Sequence, residues 1–359
     1  MTKFRHCNDN SCLFPNVYEK VGEVVAEALE VVRRLQTFVP RWMERERVPG
    51  CGLALVLDGD ICWTGAFGLA SVETKRPVDA DTIFSAASLT KPVFATLALA
   101  FHERGVIDLD RPLAEYHVHP KLAEHPLLPL MTGRHVLCHA TGMPNWAGLE
   151  KDRQLKIKFT PGSGFGYSGE GFVYLQRVIE QVTGEATEDL IQREVLRPLG
   201  MGESSFQWQD RFATRYASAH DSAGRQMPEW RPTNTNAAYS LLTTPADFAR
   251  FALHWMEPHL AAARAPVNRV SAHVAWAMGW GVQTTGQEEA LFHWGDNDGY
   301  KNFVLAFPER RAAVVMMTNG ARGLRLAGPI LRTALGGSHP VFGEFLRPFY
   351  GRAGWRKYC

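Results

Sequence analysis

Residues 84–92 read Phe84-Ser85-Ala86-Ala87-Ser88-Leu89-Thr90-Lys91-Pro92. If Ser88 opens a helix, Lys91 sits one turn further on and on the same face, within reach of the serine hydroxyl. Pro92 marks where that helix begins, because proline is harmless only among the first residues, whose N–H groups have no intrahelical partner. The positive end of the helix then favours an alkoxide on Ser88 and disfavours the charged form of Lys91, and burial of the lysine pushes the same way. An S-x-x-K tetrapeptide is expected about once by chance in a chain this long. It therefore needs partners, an oxyanion site and a scaffold that assembles them.

The 359 residues are 45% hydrophobic and 21% charged, enough for two lobes around substantial cores. A net charge of +2 leaves no footprint for nucleic acid. No apolar run approaches a membrane span, and Met1-Thr2-Lys3-Phe4-Arg5-His6-Cys7 leads into no signal-peptide core, so a cytoplasmic location is expected. Cys7, Cys12, Cys51, Cys62, Cys138 and Cys359 form no C-x-x-C pair and read as reduced thiols. His117, His119 and His125, and the i,i+4 pair His135 and His139, lack the carboxylate of a metal motif, so no metal is expected.

Outward from the serine, Val17 to Arg47 reads as a helix with Val21, Val25, Leu29, Val32 and Leu35 along one side. Two near-continuously apolar strands, Gly52–Leu57 and Ile61–Phe67, follow around the hairpin signal Asp58-Gly59, and both faces of each are expected to be covered. Helical patterns run from Ser88 to Arg104, Gly133 to His139, Gly171 to Gly184, Thr187 to Leu196 and Pro245 to Trp255. Strand character returns at Trp280–Thr284, Leu291–Trp294, Asn302–Phe307 and Ala312–Thr318, before a last helix near Leu326–Leu335. With strands at both ends and helices between, the expected class is α/β of the α+β kind. A central antiparallel sheet is flanked by the terminal helices, with a large all-helical lobe inserted. Residues 17–87 with 275–336 form the sheet domain, 88–274 the helical domain and 337–359 a tail without a clear pattern.

Two further stretches offer partners for Ser88. Phe165-Gly166-Tyr167-Ser168-Gly169 leads into a helix, and a tyrosine beside a cationic lysine can act as general base toward a serine hydroxyl. The formal G-x-G-x-x-G from Gly164 to Gly169 lacks the second strand with an acidic residue that a dinucleotide site requires. Phe292-His293-Trp294-Gly295-Asp296, on a strand edge, can aim a backbone N–H at a developing oxyanion, with Gly295 allowing close approach.

Taken together and in this order, Ser88-x-x-Lys91, Tyr167-Ser168-Gly169 and His293-Trp294-Gly295 resemble the serine β-lactamase and penicillin-binding-protein superfamily. The likeness is to its class C β-lactamase-like branch, which includes family VIII carboxylesterases, D-aminopeptidases and D-Ala-D-Ala carboxypeptidases. Arg47-Val48-Pro49-Gly50, Asp81-Thr82-Ile83-Phe84, His139-Ala140-Thr141-Gly142-Met143-Pro144, Pro198-Leu199-Gly200-Met201 and Thr244-Pro245-Ala246-Asp247-Phe248 are also similar to that branch. The resemblance implies the β-lactamase/transpeptidase fold, Ser88 as acylated nucleophile, Lys91 as its proton partner and Tyr167 as base or proton shuttle. It implies an oxyanion hole from the backbone N–H groups of Ser88 and Asp296, and neither metal nor organic cofactor.

Two positions depart from the pattern of β-lactam- and peptide-processing members. Gly169 stands where those often carry an asparagine that bonds an acylamino side chain, a contact worth on the order of 1 kcal/mol. His293 stands where β-lactamases usually carry lysine, which removes a permanent cation suited to a substrate carboxylate. Both favour a serine hydrolase acting on small carboxylic esters. An amide hydrolase (D-aminopeptidase, D-Ala-D-Ala carboxypeptidase or weak β-lactamase) stands second, ahead of an acyltransferase and a catalytically silent relative. The expected partner is a small-molecule ester or amide, with no nucleic acid and no membrane. Substrate-binding positions are Gly169, His293, Trp294, Gly295 and Trp146, with Trp280, Trp208 and Trp230 as further candidate pocket walls.

Overall fold

The computed structural model describes residues 15–150, 154–286 and 288–347, and of these the side chains at 15–25 and 27 are not described. Helix α1 (Pro15–Glu46) is followed by strands β1 (Gly50–Leu57), β2 (Asp60–Ser71), β3 (Arg76–Pro77) and β4 (Phe84–Ser85). Helices α2 (Thr90–Glu103), α3 (Gly133–Leu137), α4 (Gly169–Thr183) and α5 (Thr187–Ile191) come next, then β5 (Leu242–Thr243), α6 (Pro245–Trp255) and α7 (Ala261–Arg264). Strands β6 (Asn268–Arg269), β7 (Val274–Trp276), β8 (Gly281–Thr285), β9 (Glu288–Asn297), β10 (Tyr300–Phe307) and β11 (Ala312–Thr318) precede helix α8 (Leu324–Ala334). No described helix is long and apolar enough to cross a membrane.

One antiparallel sheet joins the two ends of the chain in the order β3-β2-β1-β11-β10-β9-β8-β7-β6. Asp58 and Gly59 turn β1 into β2 with φ of 50° and 87°, the two left-handed residues that a type I′ hairpin demands. Alternate residues of the central strands enter two different cores, as a period of two requires. Leu53, Leu55, Val314 and Met316 pack with Leu35, Val39 and Met43 of α1 and Leu326 and Ile330 of α8. Ala54, Val56, Val315 and Met317 face the helical lobe, against Phe94, Phe172 and Phe248. With both faces covered, β1 and β11 must read as unbroken apolar runs.

Several expectations need correction. Leu29 is 65% exposed, and the buried stripe of α1 is Val31, Leu35, Val39 and Met43, a face that Leu29 does not share. Val21 and Val25 lie among the undescribed side chains. Strand β2 is not covered on both faces: Asp60 to Thr64 alternate between exposed and half-buried. Residues 268–274, expected in the helical part, supply β6 and the start of β7. The lobe is not all helical either, since β4 pairs with β5. The helix expected to run from Ser88 begins at Thr90, after a 3₁₀ turn over Ala87–Leu89. From the tail, Val341–Phe345 makes a helical turn whose Phe345 packs on Trp294 at 5.1 Å, while Phe349, Tyr350 and Trp355 lie outside the described residues.

Trp280 is not a pocket wall. It is fully buried, stacked on Phe251 at 6.0 Å and tilted against Trp255 at 5.8 Å. Trp280→Ala is expected to cost about 3–5 kcal/mol of stability, the scale of a deleted core aromatic, measured from the urea midpoint. The ratio of rates on different substrates should stay unchanged, and a shift in that ratio would return Trp280 to the pocket.

Candidate active site

The serine sits where the sheet meets the helical lobe. Asn302 Nδ2 donates to Ser85 O at 2.9 Å and Ala86 N–H donates to Leu241 O at 2.8 Å, which anchors the approach to Ser88 on both sides. Ala87 is fully buried with φ at 52°, a left-handed conformation that alanine adopts only at a cost. Thr90 Oγ1 donates to Ala87 O at 2.5 Å and accepts Leu241 N–H at 3.0 Å, so this bend is pinned at both ends. Pro92 falls in the first turn of α2, where its missing N–H costs nothing. Ser88 itself is half-buried.

Lys91 is completely buried, with Nζ 3.0 Å from Ser88 Oγ and 2.8 Å from Ala238 O. Burial holds its amine well below the ordinary value of 10.5. A neutral amine donates to Ala238 O and still offers a lone pair, to which the Ser88 hydroxyl can donate along the same 3.0 Å line. Nζ also lies 4.8 Å from the centre of the Tyr167 ring. Tyr167 immediately precedes Ser168, the N-cap of α4, whose Oγ accepts Gly171 N–H at 2.9 Å.

Strand β9 closes the third side. Trp294 lies 4.7 Å from the Tyr167 ring and His293 6.3 Å from it. A Cβ on Gly295 would meet Ala86 O at 2.2 Å, so only glycine lets β9 run this close to the Ser88 turn. Strand β8 pairs with β9 only as far as Phe292↔Gly281, which leaves residues 293–297 without a β8 partner on the side nearest Ser88. The Asp296 carboxylate is taken by Lys301 at 2.5 Å, leaving its backbone as the group that edge can offer a substrate. Ser88, Lys91, Tyr167, His293, Trp294, Gly295 and Asp296 are thus drawn to one place.

His293 is fully buried; its Nδ1 lies 2.8 Å from Trp294 O and so carries the proton, and Nε2 has no hydrogen-bond partner among the described residues. Burial, with Lys91 as the second cause, pushes the imidazole from 6.5 down to about 3. The folded chain then binds this proton more weakly than the unfolded chain, so stability falls as pH drops from about 6.5 toward about 3. His293→Asn is expected to flatten part of that acid limb in urea midpoints measured against pH. The remaining slope is shared by other groups that the fold shifts down, among them His139 and His339, and an unaltered limb would contradict this reading.

The histidines singled out in the sequence are engaged separately from one another. Helix α3 ends at Leu137, so His135 turns back to accept Thr132 N–H in a capping box while His139 Nδ1 accepts Ser168 N–H at 3.1 Å. The His139 ring then lies tilted 4.3 Å from the Tyr167 ring, a contact that its i,i+4 spacing concealed. His119 and His125 accept nearby backbone N–H groups through Nδ1. His102, Asp108 and Asp110 come close enough to hold a cation, but Arg134 engages Asp110 through two bonds of 2.6 and 2.7 Å and His102 Nδ1 accepts Leu109 N–H. Asp110 and His102 Nδ1 are thus already engaged within the protein.

Of the remaining tryptophans, Trp294 is buried behind Tyr167 and supports that ring. Trp208 packs against Phe212 and Tyr216, in a cluster of its own with Tyr300. Trp146 is half-buried over Gly169, where a Cβ would stand 2.5 Å from the indole. Tyr239 meets Trp146 edge-on at 5.5 Å, and Trp230 lies 6.0 Å beyond it. Sequence reasoning missed Tyr239, the Ala238 carbonyl and Trp276, whose ring lies 5.1 Å from His139 and 5.6 Å from His293. A backbone carbonyl carries no residue-type signal, and a tryptophan on a three-residue strand carries little.

The beta-lactamase family model matches residues 35–334. Protein flp of Staphylococcus aureus (strain NCTC 8325) is 22% identical over 319 residues, covering 80% of this chain and 63% of that protein. Esterase EstB of Burkholderia gladioli is 30% identical over 220 residues, covering 53% of this chain and 56% of EstB. The chain spans less than two thirds of the length of these relatives. An octameric penicillin-binding protein homologue from Pyrococcus abyssi shares the fold with a TM-score of 0.75 at 22% identity, over 89% of this chain and 82% of that one. So does a beta-lactamase/D-alanine carboxypeptidase from Pseudomonas syringae, with a TM-score of 0.75 at 17% identity over 86% and 99%. A family match running from α1 to the end of α8 makes this chain a member of the beta-lactamase family of serine hydrolases.

Proposed function

We propose that the protein cleaves small carboxylic esters through a covalent acyl-enzyme on Ser88. One observation carries the reading: the buried Lys91 amine, its proton affinity lowered by burial, lies 3.0 Å from the half-buried serine hydroxyl. Ser88 Oγ attacks the ester carbonyl carbon as its proton passes to Lys91 Nζ, and the carbonyl oxygen takes the negative charge. The backbone N–H groups of Ser88 and Asp296 hold that oxyanion. The C–O bond to the alcohol breaks, and the leaving oxygen regains a proton from Lys91 by way of Tyr167. Water then attacks the acyl carbon, delivering its proton through the same pair, and releases the acid and free Ser88.

Preference for esters over amides and β-lactams follows from two features. The space beside Gly169 is filled by Trp146, so no amide-bonding side chain fits there without displacing the indole. His293 is neutral at working pH and supplies no cation to a substrate carboxylate. The likeness to an esterase at 30% identity points the same way.

The test is a set of initial rates on a short-chain p-nitrophenyl ester, a D-amino-acid amide and a chromogenic cephalosporin, each with Ser88→Ala as blank. Serine-dependent turnover of the ester well above the others supports the proposal. Faster serine-dependent cleavage of the amide or the cephalosporin overturns it in favour of an amide hydrolase.

A further inference from the structure

The volume that any side chain at position 169 would need is occupied by an aromatic ring. Trp146 atoms Cη2 and Cζ2 both stand 2.5 Å from where a Cβ on Gly169 would be. The indole is held there from both flanks. Asn145 Oδ1 accepts Gly169 N–H at 3.0 Å, Asn145 O accepts Glu170 N–H at 3.1 Å, and Glu170 Oε1 accepts Ala147 N–H at 2.8 Å. The backbone on either side of Trp146 is thus tied to the first turn of α4, two residues from Tyr167.

The ring's other neighbour is Tyr239, which follows the residue whose carbonyl binds Lys91 Nζ, and Tyr239 O accepts Asn297 Nδ2 at 3.4 Å. Trp230 continues the row outward and is 38% exposed. Trp146 and Tyr239 are half-buried, unlike the core aromatics. Three partly exposed aromatic residues thus form a row outward from Gly169, beginning next to the residue that binds Lys91.

We infer that Trp146, braced by Tyr239 and extended by Trp230, is the specificity wall of this site, and that it selects esters carrying a flat aromatic substituent. The inference rests on the ester reading above. A planar ring gains offset or edge contacts against such a wall that a puckered ring of similar size cannot make, a difference of about threefold to tenfold in kcat/KM. The shared chemistry is the aromatic ring, and it can come from the acyl or the alcohol side.

The experiment follows proton release in a pH-stat for two matched pairs: ethyl phenylacetate with ethyl cyclohexylacetate, and benzyl acetate with cyclohexylmethyl acetate. The expected result is preference for the aromatic member in one pair, which names the side that meets the wall. Trp146→Ala should erase that preference and Trp146→Phe should retain part of it. Gly169→Ala should mimic Trp146→Ala, because its Cβ has no place unless the indole moves. The two changes together should do no more than one alone, as coupled neighbours behave. In parallel, 2-phenylethylboronic and 2-cyclohexylethylboronic acids are titrated by tryptophan fluorescence, a readout independent of turnover. No ring preference in either measurement, or equal loss on aromatic and cyclohexyl members in Trp146→Ala, overturns the inference. No turnover of any ester with the boronate preference intact overturns the ester reading alone.

Discussion

Ser88→Ala is expected to lower kcat/KM on esters by on the order of 10⁶-fold, toward the background that binding and oxyanion contacts sustain without a nucleophile. In the proposed mechanism the loss is this large because the Ser88 hydroxyl forms the covalent bond, and it is the hydroxyl that Lys91 Nζ meets at 3.0 Å. The fold should hardly register the change. Ser88 is half-buried, and the bend that carries it is pinned by Thr90 and Leu241 and not by its own hydroxyl. Stability should therefore move by no more than about 1 kcal/mol. A variant within tenfold of the parent, at equal stability, would remove Ser88 from the mechanism.

The second large effect belongs to Lys91. Lys91→Met keeps most of the side-chain volume but has no lone pair to take the serine proton, and a loss of roughly 10²–10⁴-fold is expected. Lys91→Arg should fail similarly, because a guanidinium cannot be deprotonated in a protein. The sign of the pH effect follows from burial. The amine is held well below 10.5, so under the proposed mechanism activity falls as pH drops through that depressed value and the base takes up a proton. Lys91→Met should lack this acid limb altogether. Stopped-flow acylation rates against pH check both points, and an identical limb in Lys91→Met would assign it to another group.

Much of the architecture was readable because it rests on local pattern. The positive φ values at Asp58 and Gly59 are what that dipeptide favours, and β11 runs Ala312–Thr318 just as its apolar stretch indicates. Strands β6 and β7 were unreadable because two or three residues hold no periodicity, and their pairing depends on neighbours distant in sequence. The burial of Trp280 was likewise invisible, since an indole in a core and one in a pocket look the same in a sequence. Around the site, the three motifs could be recognised by residue type and order. What holds them could not: the Ala238 carbonyl on Lys91, the His139 ring on Tyr167 and the left-handed Ala87 are facts of tertiary packing. Gly169 lies between these cases. Its missing side chain was visible as an absence, but only the structure puts Trp146 in that space.

The central claim is that an acyl group is carried on Ser88. Enzyme mixed with a p-nitrophenyl ester, quenched in acid within milliseconds and measured intact by mass spectrometry, should gain the mass of one acyl group, traced by peptide mapping to Ser88 and absent from Ser88→Ala. Turnover that proceeds with no adduct, or with the acyl group on a residue other than Ser88, would contradict the account.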